Sequence, residues 1–227
     1  MGKSSDTERE LKVFVLASHA KKHLNFKKLK AFKFWQSYFS DNSLEAAFRV
    51  VYKTNKDLPP LKTGRLRKVE ISGKGTKYFA TFKGPYLTEF SRAEYEQEIS
   101  PQVYELLLPL CQGFTIRKTR YHLPGYIYLG KNKIPVQAEI DHLTDWSDEF
   151  YTVDIEVTKD AHVTALRNGN HSFDFIKSGA VDLTRQKMIM RKALSMKFLA
   201  RNGFGKVTQK AVDQLSKKAP KSNLSTK

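Results

Sequence analysis

The 227-residue sequence holds a single cysteine, Cys111. One thiol excludes an intrachain disulfide and any zinc site built from several cysteines. It fits a reducing intracellular compartment, read here as the cytoplasm. Long apolar runs are also missing, since no stretch approaches the ~18 consecutive apolar residues of a membrane span. The opening residues, MGKSSDTERE, contain no apolar core of a secretory signal, and Asp6 stands where a myristoylation pattern wants Ser or Thr. No internal repeat is present. Acids are scarce in two places. Residues 19–33 carry six lysines and no acid, and residues 187–227 carry eleven Lys or Arg against Asp213 alone. These segments hold nearly all of the formal net charge of +17, so the middle of the chain is close to neutral although rich in charge. Basic segments of this kind suit an anionic partner such as nucleic acid, and equally a solvated face.

Hydrophobic residues make up 40% of the chain, with 15 Phe and 10 Tyr, enough for a real core. Strand patterns are read at 8–16, 32–39, 46–54, 65–71, 77–84 and 91–99, then over "FTIRKTRYHL", "IPVQAEIDHL" and "FYTVDIEVT". The "SGKGTK" at 72–77 lacks the spacing of a phosphate-binding loop and lies between two strand patterns, so it reads as a hairpin turn. Ser100 as N-cap and Pro101 as first residue precede Val103, Leu106, Leu107 and Leu110 at helical spacing, which with Gly113 as a stop predicts a helix over 101–112. Residues 164–179 are ambiguous. A second helix is predicted from Asp182 to the Asn202-Gly203 stop, with a polar, mobile tail beyond about 206.

The strands share an unusual pattern. A strand turns alternate residues to opposite faces, so Glu8, Glu10 and Lys12 stand together opposite Leu11, Val13 and Val15. Arg65 and Arg67 share a face, as do Thr81 and Lys83, then Arg92, Glu94 and Glu96. Lys118 and Arg120 follow, then Glu139 and Asp141, then Asp154 and Glu156. One wet sheet face explains any single case. The whole set, almost purely ionised, fits a closed barrel with a charged interior and apolar sides packed outward against helices. Like charges gathered in a low dielectric need opposite charges. An acid cluster therefore implies a divalent cation, Mg²⁺ or Mn²⁺, bound by hard oxygen ligands. A basic cluster implies a polyanion gripped by Lys and by the bidentate fork of Arg. Together these are the requirements of phosphoryl transfer.

In this order and with these signs the segments resemble the CYTH, or triphosphate tunnel metalloenzyme, family over roughly residues 8–160. "ERELK" resembles its E-x-E-x-K opening, "GRLRK" its R-x-R strand, "YFATFKG" the strand ending in Lys-Gly and "SRAEYEQEI" the R-x-E-x-E strand. "IRKTRYHL", "AEID" and "VDIEV" resemble the K-x-R-Y, E-x-D and closing E-x-E strands. The closing strand departs from the family in carrying Asp154 in place of Glu, and the segment between Glu10 and Arg65 is long. "EVTKD" also resembles a later family segment, an alignment on which Glu156 is not a ligand and the role of Asp154 lapses.

The resemblance implies an α+β fold, an eight-stranded antiparallel β-barrel with packed peripheral helices over 1–180 and a basic helix and tail over 181–227. It implies that Glu8, Glu10, Asp154 and Glu156 hold the metal, with Glu94, Glu96 and Glu139 contributing acids. Lys12, Arg65, Arg67, Lys83, Arg92, Lys118 and Arg120 would grip phosphates. Lys118 is the candidate for protonating the leaving phosphate, Glu10 for activating water and Asp141 for orienting a basic residue. The activity implied is metal-dependent hydrolysis of inorganic triphosphate, a nucleoside triphosphate or another organic triphosphate. The alternatives are a class IV-type adenylate cyclase, an RNA 5′-triphosphatase, or a non-catalytic module that binds triphosphates or nucleic acid.

Overall fold

Alternation of charged and apolar side chains along successive strands produces a ring. The computed structural model describes residues 6–88, 91–145, 148–186 and 193–219. Its strands are β1 (Asp6–Leu16), β2 (Lys30–Phe39), β3 (Thr63–Ile71), β4 (Gly75–Tyr86), β5 (Ser91–Ile99), β6 (Cys111–Leu129), β7 (Asn132–His142), β8 (Phe150–Glu156) and β9 (Ala180–Asp182). They form one antiparallel sheet in the order β5-β4-β3-β2-β6-β7-β8-β1-β9, and a further pairing of β5 with β1 closes β1 to β8 into a barrel. Strand β1 serves two neighbours along one edge. Its first residues pair with β5, with Glu8 opposite Arg92, and its later ones with β9, with Val13 opposite Asp182.

The apolar sides of the strands face outward, as the sequence predicts. Leu11, Val13, Val15, Ile140, Val153 and Ile155 are buried under α1 (Ala17–His23), α4 (Asp160–Arg167) and α5 (Asp174–Gly179). Leu66, Ala80 and Phe82 are buried under α2 (Leu44–Tyr52) and α3 (Pro101–Leu107). Each such aliphatic or aromatic side chain contributes roughly 1.5–3 kcal/mol when fully buried. One end of the inner face is apolar as well. Phe14, Ile116 and Phe150 pack there with Leu199 of α6 (Met196–Asn202) and with Val212 and Leu215 of α7 (Lys206–Lys218). Gly113 permits this docking. Its φ is +77°, and a Cβ on it would stand 2.1 Å from the Ala200 carbonyl oxygen.

Four expectations need correction. Residues 46–54 fall mainly within helix α2 and form no strand, because Leu44, Ala47, Phe48 and Val51 repeat at helical spacing and turn one stripe into the apolar layer. The helix expected over 101–112 stops at Leu107, and a 3₁₀ turn over Leu108–Leu110 leads straight into β6. Pro109 has no N–H to continue the α ladder, and Gly113 lies inside the strand. The single helix expected over 182–201 is not continuous. Asp182 ends β9, a 3₁₀ turn follows over Leu183–Arg185, and Ser195 caps a new helix by accepting from the Phe198 N–H. Residues 187–192 lie outside the described residues. Finally, 206–218 is helix α7, which buries Thr208, Ala211, Val212 and Leu215. Its apolar positions are few but fall on one stripe, so packing prevails over a polar composition. No helix among the described residues is long and apolar enough to cross a membrane.

Candidate functional site

The inner face encloses a cavity of about 820 Å³. Every residue singled out from the strand pattern lines it except Glu8. The Glu8 side chain lies outside the described part of the structure, and its backbone pairs with Arg92. Register explains the convergence. Lys12 stands opposite Asp154, Glu10 opposite Glu156, Glu139 opposite Asp154, Arg120 opposite Asp141 and Lys83 opposite Glu94. Charges that alternate within strands become ion pairs between them.

Depth sorts these groups. At the bottom, Asp141 accepts two hydrogen bonds from Arg120, from Nε and Nη2, both at 2.7 Å, and a third from the Lys118 ammonium. The Lys118 and Asp141 side chains are 3% and 2% exposed. Arg120 also bonds Glu139 and lies 3.8 Å from Asp154. Lys83 pairs with Glu94 at 2.9 Å, Arg65 lies 4.0 Å from the same carboxylate, and Arg67 pairs with Glu96. Lys12 lies 3.0 Å from Asp154 and 3.6 Å from Glu10. Nearer solvent stand Glu156, Glu96 and Glu98, all exposed. The cavity therefore opens on its carboxylate side, with the cations deeper.

Burial and crowding set the protonation states. Burial, with the Arg120 charge beside it, pushes the Lys118 ammonium down to about 7, against the pull of Asp141. Burial alone would raise Asp141, but Arg120 and Lys118 override it and hold the carboxyl well below its ordinary range. Asp154 goes the other way. Burial, then the nearby Glu10 and Asp141 charges, lift it to about 6 although Lys12 and Arg120 oppose the shift. Its Oδ1 receives no aligned hydrogen bond, in spite of the Lys12 ammonium at 3.0 Å. Arg67 is lowered to about 10 by burial, with Arg65 adding to it.

Strand β2 carries no inward charge, and a search for charged pairs passes over it. Its Phe34 ring nevertheless underlies three cations, at 5.4 Å from Lys118, 5.4 Å from Arg120 and 5.9 Å from Arg67, and Tyr38 completes the wall. Shared parity of Phe34, Gln36 and Tyr38 in "FKFWQSYF" is the signal that could have found them. Lys197 of α6, which also lines the cavity, comes from a distant helix and has no local signal.

The donor set suits a hard divalent cation. Glu10 and Glu156 are cross-strand neighbours at the mouth, and the raised, incompletely bonded Asp154 sits beside them. Among the described residues no group of three or more His, Cys, Asp or Glu forms a ready cage. A pair is compatible with Mg²⁺, which keeps several waters and binds through one or two carboxylates together with substrate phosphates. Glu94, Glu96 and Glu139 instead engage Lys83, Arg67 and Arg120.

No family model matches the chain, and no curated protein matches it either. Several solved structures share the architecture. A candidate adenylyl cyclase from Hippeastrum, described as having a dominant triphosphatase activity, is 15% identical with a TM-score of 0.44, over 75% of this chain and 86% of that one. An inorganic triphosphatase is 22% identical with a TM-score of 0.35, over 68% and 80%. A chain of the Schizosaccharomyces pombe Mediator head module is 13% identical with a TM-score of 0.39, over 72% and 89%. At these identities and scores the likenesses assign no chemistry, so the reading of function rests on the side chains inside this barrel.

Proposed function

We propose that the chain is a triphosphate tunnel metalloenzyme of the CYTH type, a hydrolase that cleaves a phosphoanhydride bond of a triphosphate held inside the barrel. The observation that carries this reading is the layering of the cavity, cations below and carboxylates at the mouth, in one space large enough for a triphosphate. Lys12, Arg65, Arg67, Lys83 and Arg120 would bind and orient the phosphate oxygens, with Arg92 beside Glu94 on β5 assisting. Mg²⁺ or Mn²⁺ bound by Glu10 and Glu156, with Glu8 and Asp154, would bridge phosphate oxygens and neutralise their charge.

The chain's own groups then divide the proton traffic. Water attacks the terminal phosphorus, and Glu10 takes its proton. The bridging P–O bond breaks, its electron pair stays on the leaving phosphate oxygen, and Lys118 donates a proton there. A lysine lowered to about 7 holds a transferable proton at neutral pH, which an ordinary lysine does not readily release. Asp141 stays ionised and fixes both Lys118 and Arg120, which makes it a positioning residue.

The test is product analysis with Mg²⁺ or Mn²⁺ on inorganic triphosphate, thiamine triphosphate and ATP. Orthophosphate from any of these, absent in Glu10→Ala, is the expected result. Pyrophosphate and cyclic AMP from ATP would move the assignment to a cyclase. Metal-independent binding without turnover would leave a binding module.

A further inference from the structure

Past Arg120 and Asp141 the β6–β7 hairpin continues in unbroken register out to Leu129 and Asn132. Along this arm Gly125 and Ile127 are buried, and Ile134 and Val136 pack against the outer apolar layer. The opposite positions, among them Tyr126, Tyr128, Lys133 and Gln137, are exposed, with each of the two tyrosines at 40%. Parity makes this exposed face the continuation of the face that bears Arg120, His122, Glu139 and Asp141. The cavity wall therefore extends past the barrel as an open platform. Its far edge is fixed. The Tyr128 N–H donates to the Asn170 carbonyl at 2.8 Å, the Ser172 N–H to the Tyr126 carbonyl at 3.0 Å, and the Tyr126 N–H to Ser172 Oγ at 2.9 Å.

The platform is charged on one side only. No Asp or Glu occurs between Arg120 and Glu139, while Lys131 and Lys133 do. Lys30 opens β2 directly opposite His122. Across the mouth stand Glu10, Glu156, Glu96 and Glu98. A polyanion leaving the cavity is thus repelled from one lip and attracted to the other. The attractive lip also offers two rings on alternate residues, about 7 Å apart along the strand. The Lys133 ammonium lies 3.9 Å from the centre of the Tyr126 ring, so a cation is stationed beside an aromatic surface.

We infer that the triphosphate bound in the cavity is the 5′ end of a single-stranded oligonucleotide. Its first bases stack on Tyr126 and Tyr128, and Lys133 and Lys30 meet its backbone phosphates. The inference rests on the triphosphatase reading above and names the substrate class for it. Rings select against a base-free polyanion, and a free nucleoside triphosphate is too short to cover both tyrosines.

The test uses the full chain and a Tyr126→Ala/Tyr128→Ala double variant. Binding of a fluorescent 5′-triphosphorylated RNA oligomer is read by anisotropy, and turnover of that oligomer is compared with inorganic triphosphate. Stacking predicts that the double variant weakens RNA binding at least about tenfold. The ratio of kcat/KM for RNA to that for inorganic triphosphate falls by a similar factor. Unchanged RNA affinity in the double variant overturns the inference, whatever the turnover. Long-chain polyphosphate that displaces RNA equally from both proteins, with no loss of RNA affinity, overturns it too. A wild-type protein that cleaves nothing but binds RNA through the tyrosines would sink the hydrolase reading alone and uphold the platform.

Discussion

Replacing Asp141 by Asn removes one negative charge and little volume from the deepest part of the site. Three hydrogen bonds to charged donors converge on that carboxylate. Breaking a buried ion pair by removing one partner costs roughly 3–5 kcal/mol. Two features place this case near the lower figure above pH 7. Arg120 keeps Glu139 and the more distant Asp154. Lys118, already lowered to about 7, can shed its proton once its anion is gone. The cost should therefore depend on pH. In the variant Lys118 titrates below its wild-type value, so between those two values the variant's folded state holds fewer protons than wild type. Stability then falls faster in the variant as pH drops below 7. Wild type keeps the Asp141 contribution down to the unfolded carboxylate range near pH 4 and loses it only as pH falls further, because that group is depressed in the folded state. Urea unfolding at pH 8, 7 and 5 reads the difference as about 3 kcal/mol or more, growing toward acid. The rate profile should follow, with the alkaline limb assigned to Lys118 moving to lower pH. A stability loss under about 0.5 kcal/mol, within the range of an ordinary surface change, would refute the reasoning. So would an alkaline limb that stays in place.

Lys118→Arg keeps the charge but supplies no readily transferable proton, so kcat should fall by about 10²–10⁴ while KM changes little, as steady-state kinetics will show. Glu156→Gln should weaken Mn²⁺ binding by about tenfold or more in a calorimetric titration, because one of the two mouth carboxylates loses its charge. Gly113→Ala should lower stability by at least about 1–3 kcal/mol in thermal or urea unfolding, since its positive φ is strained for alanine and the Cβ meets the Ala200 carbonyl.

The barrel was legible because its interior is ionised. A strand that alternates Glu-x-Glu-x-Lys against Leu-x-Val-x-Val can satisfy both faces only by turning one inward to other charges and the other outward to helices, and β1 does so. The cavity-lining cations and acids followed from the same parity. Three other things lay outside local pattern. Strand β2 lines the site with Phe34 and Tyr38, which carry no charge to mark them. Helix α2 consists of residues with mixed propensity, and its stripe of Leu44, Ala47 and Phe48 outweighs the β-branched look of Val50 and Val51. Helices α6 and α7 gain their stability from the apolar end of the barrel, through contacts with Phe14, Ile116 and Phe150 that are remote in sequence. The pairing of Lys118 with Asp141 needs the β6–β7 register, which residue types alone do not supply.

The central claim is that charge layering inside the barrel turns over a triphosphate. The most direct measurement is orthophosphate release from inorganic triphosphate by the purified chain with Mg²⁺ or Mn²⁺, run beside Glu10→Ala and Lys118→Arg at equal folded concentration. The account predicts metal-dependent release by wild type, none above background with Glu10→Ala, and a large loss of kcat with Lys118→Arg. Release that persists in both variants, or wild-type protein that releases none from this or any other triphosphate, would contradict it.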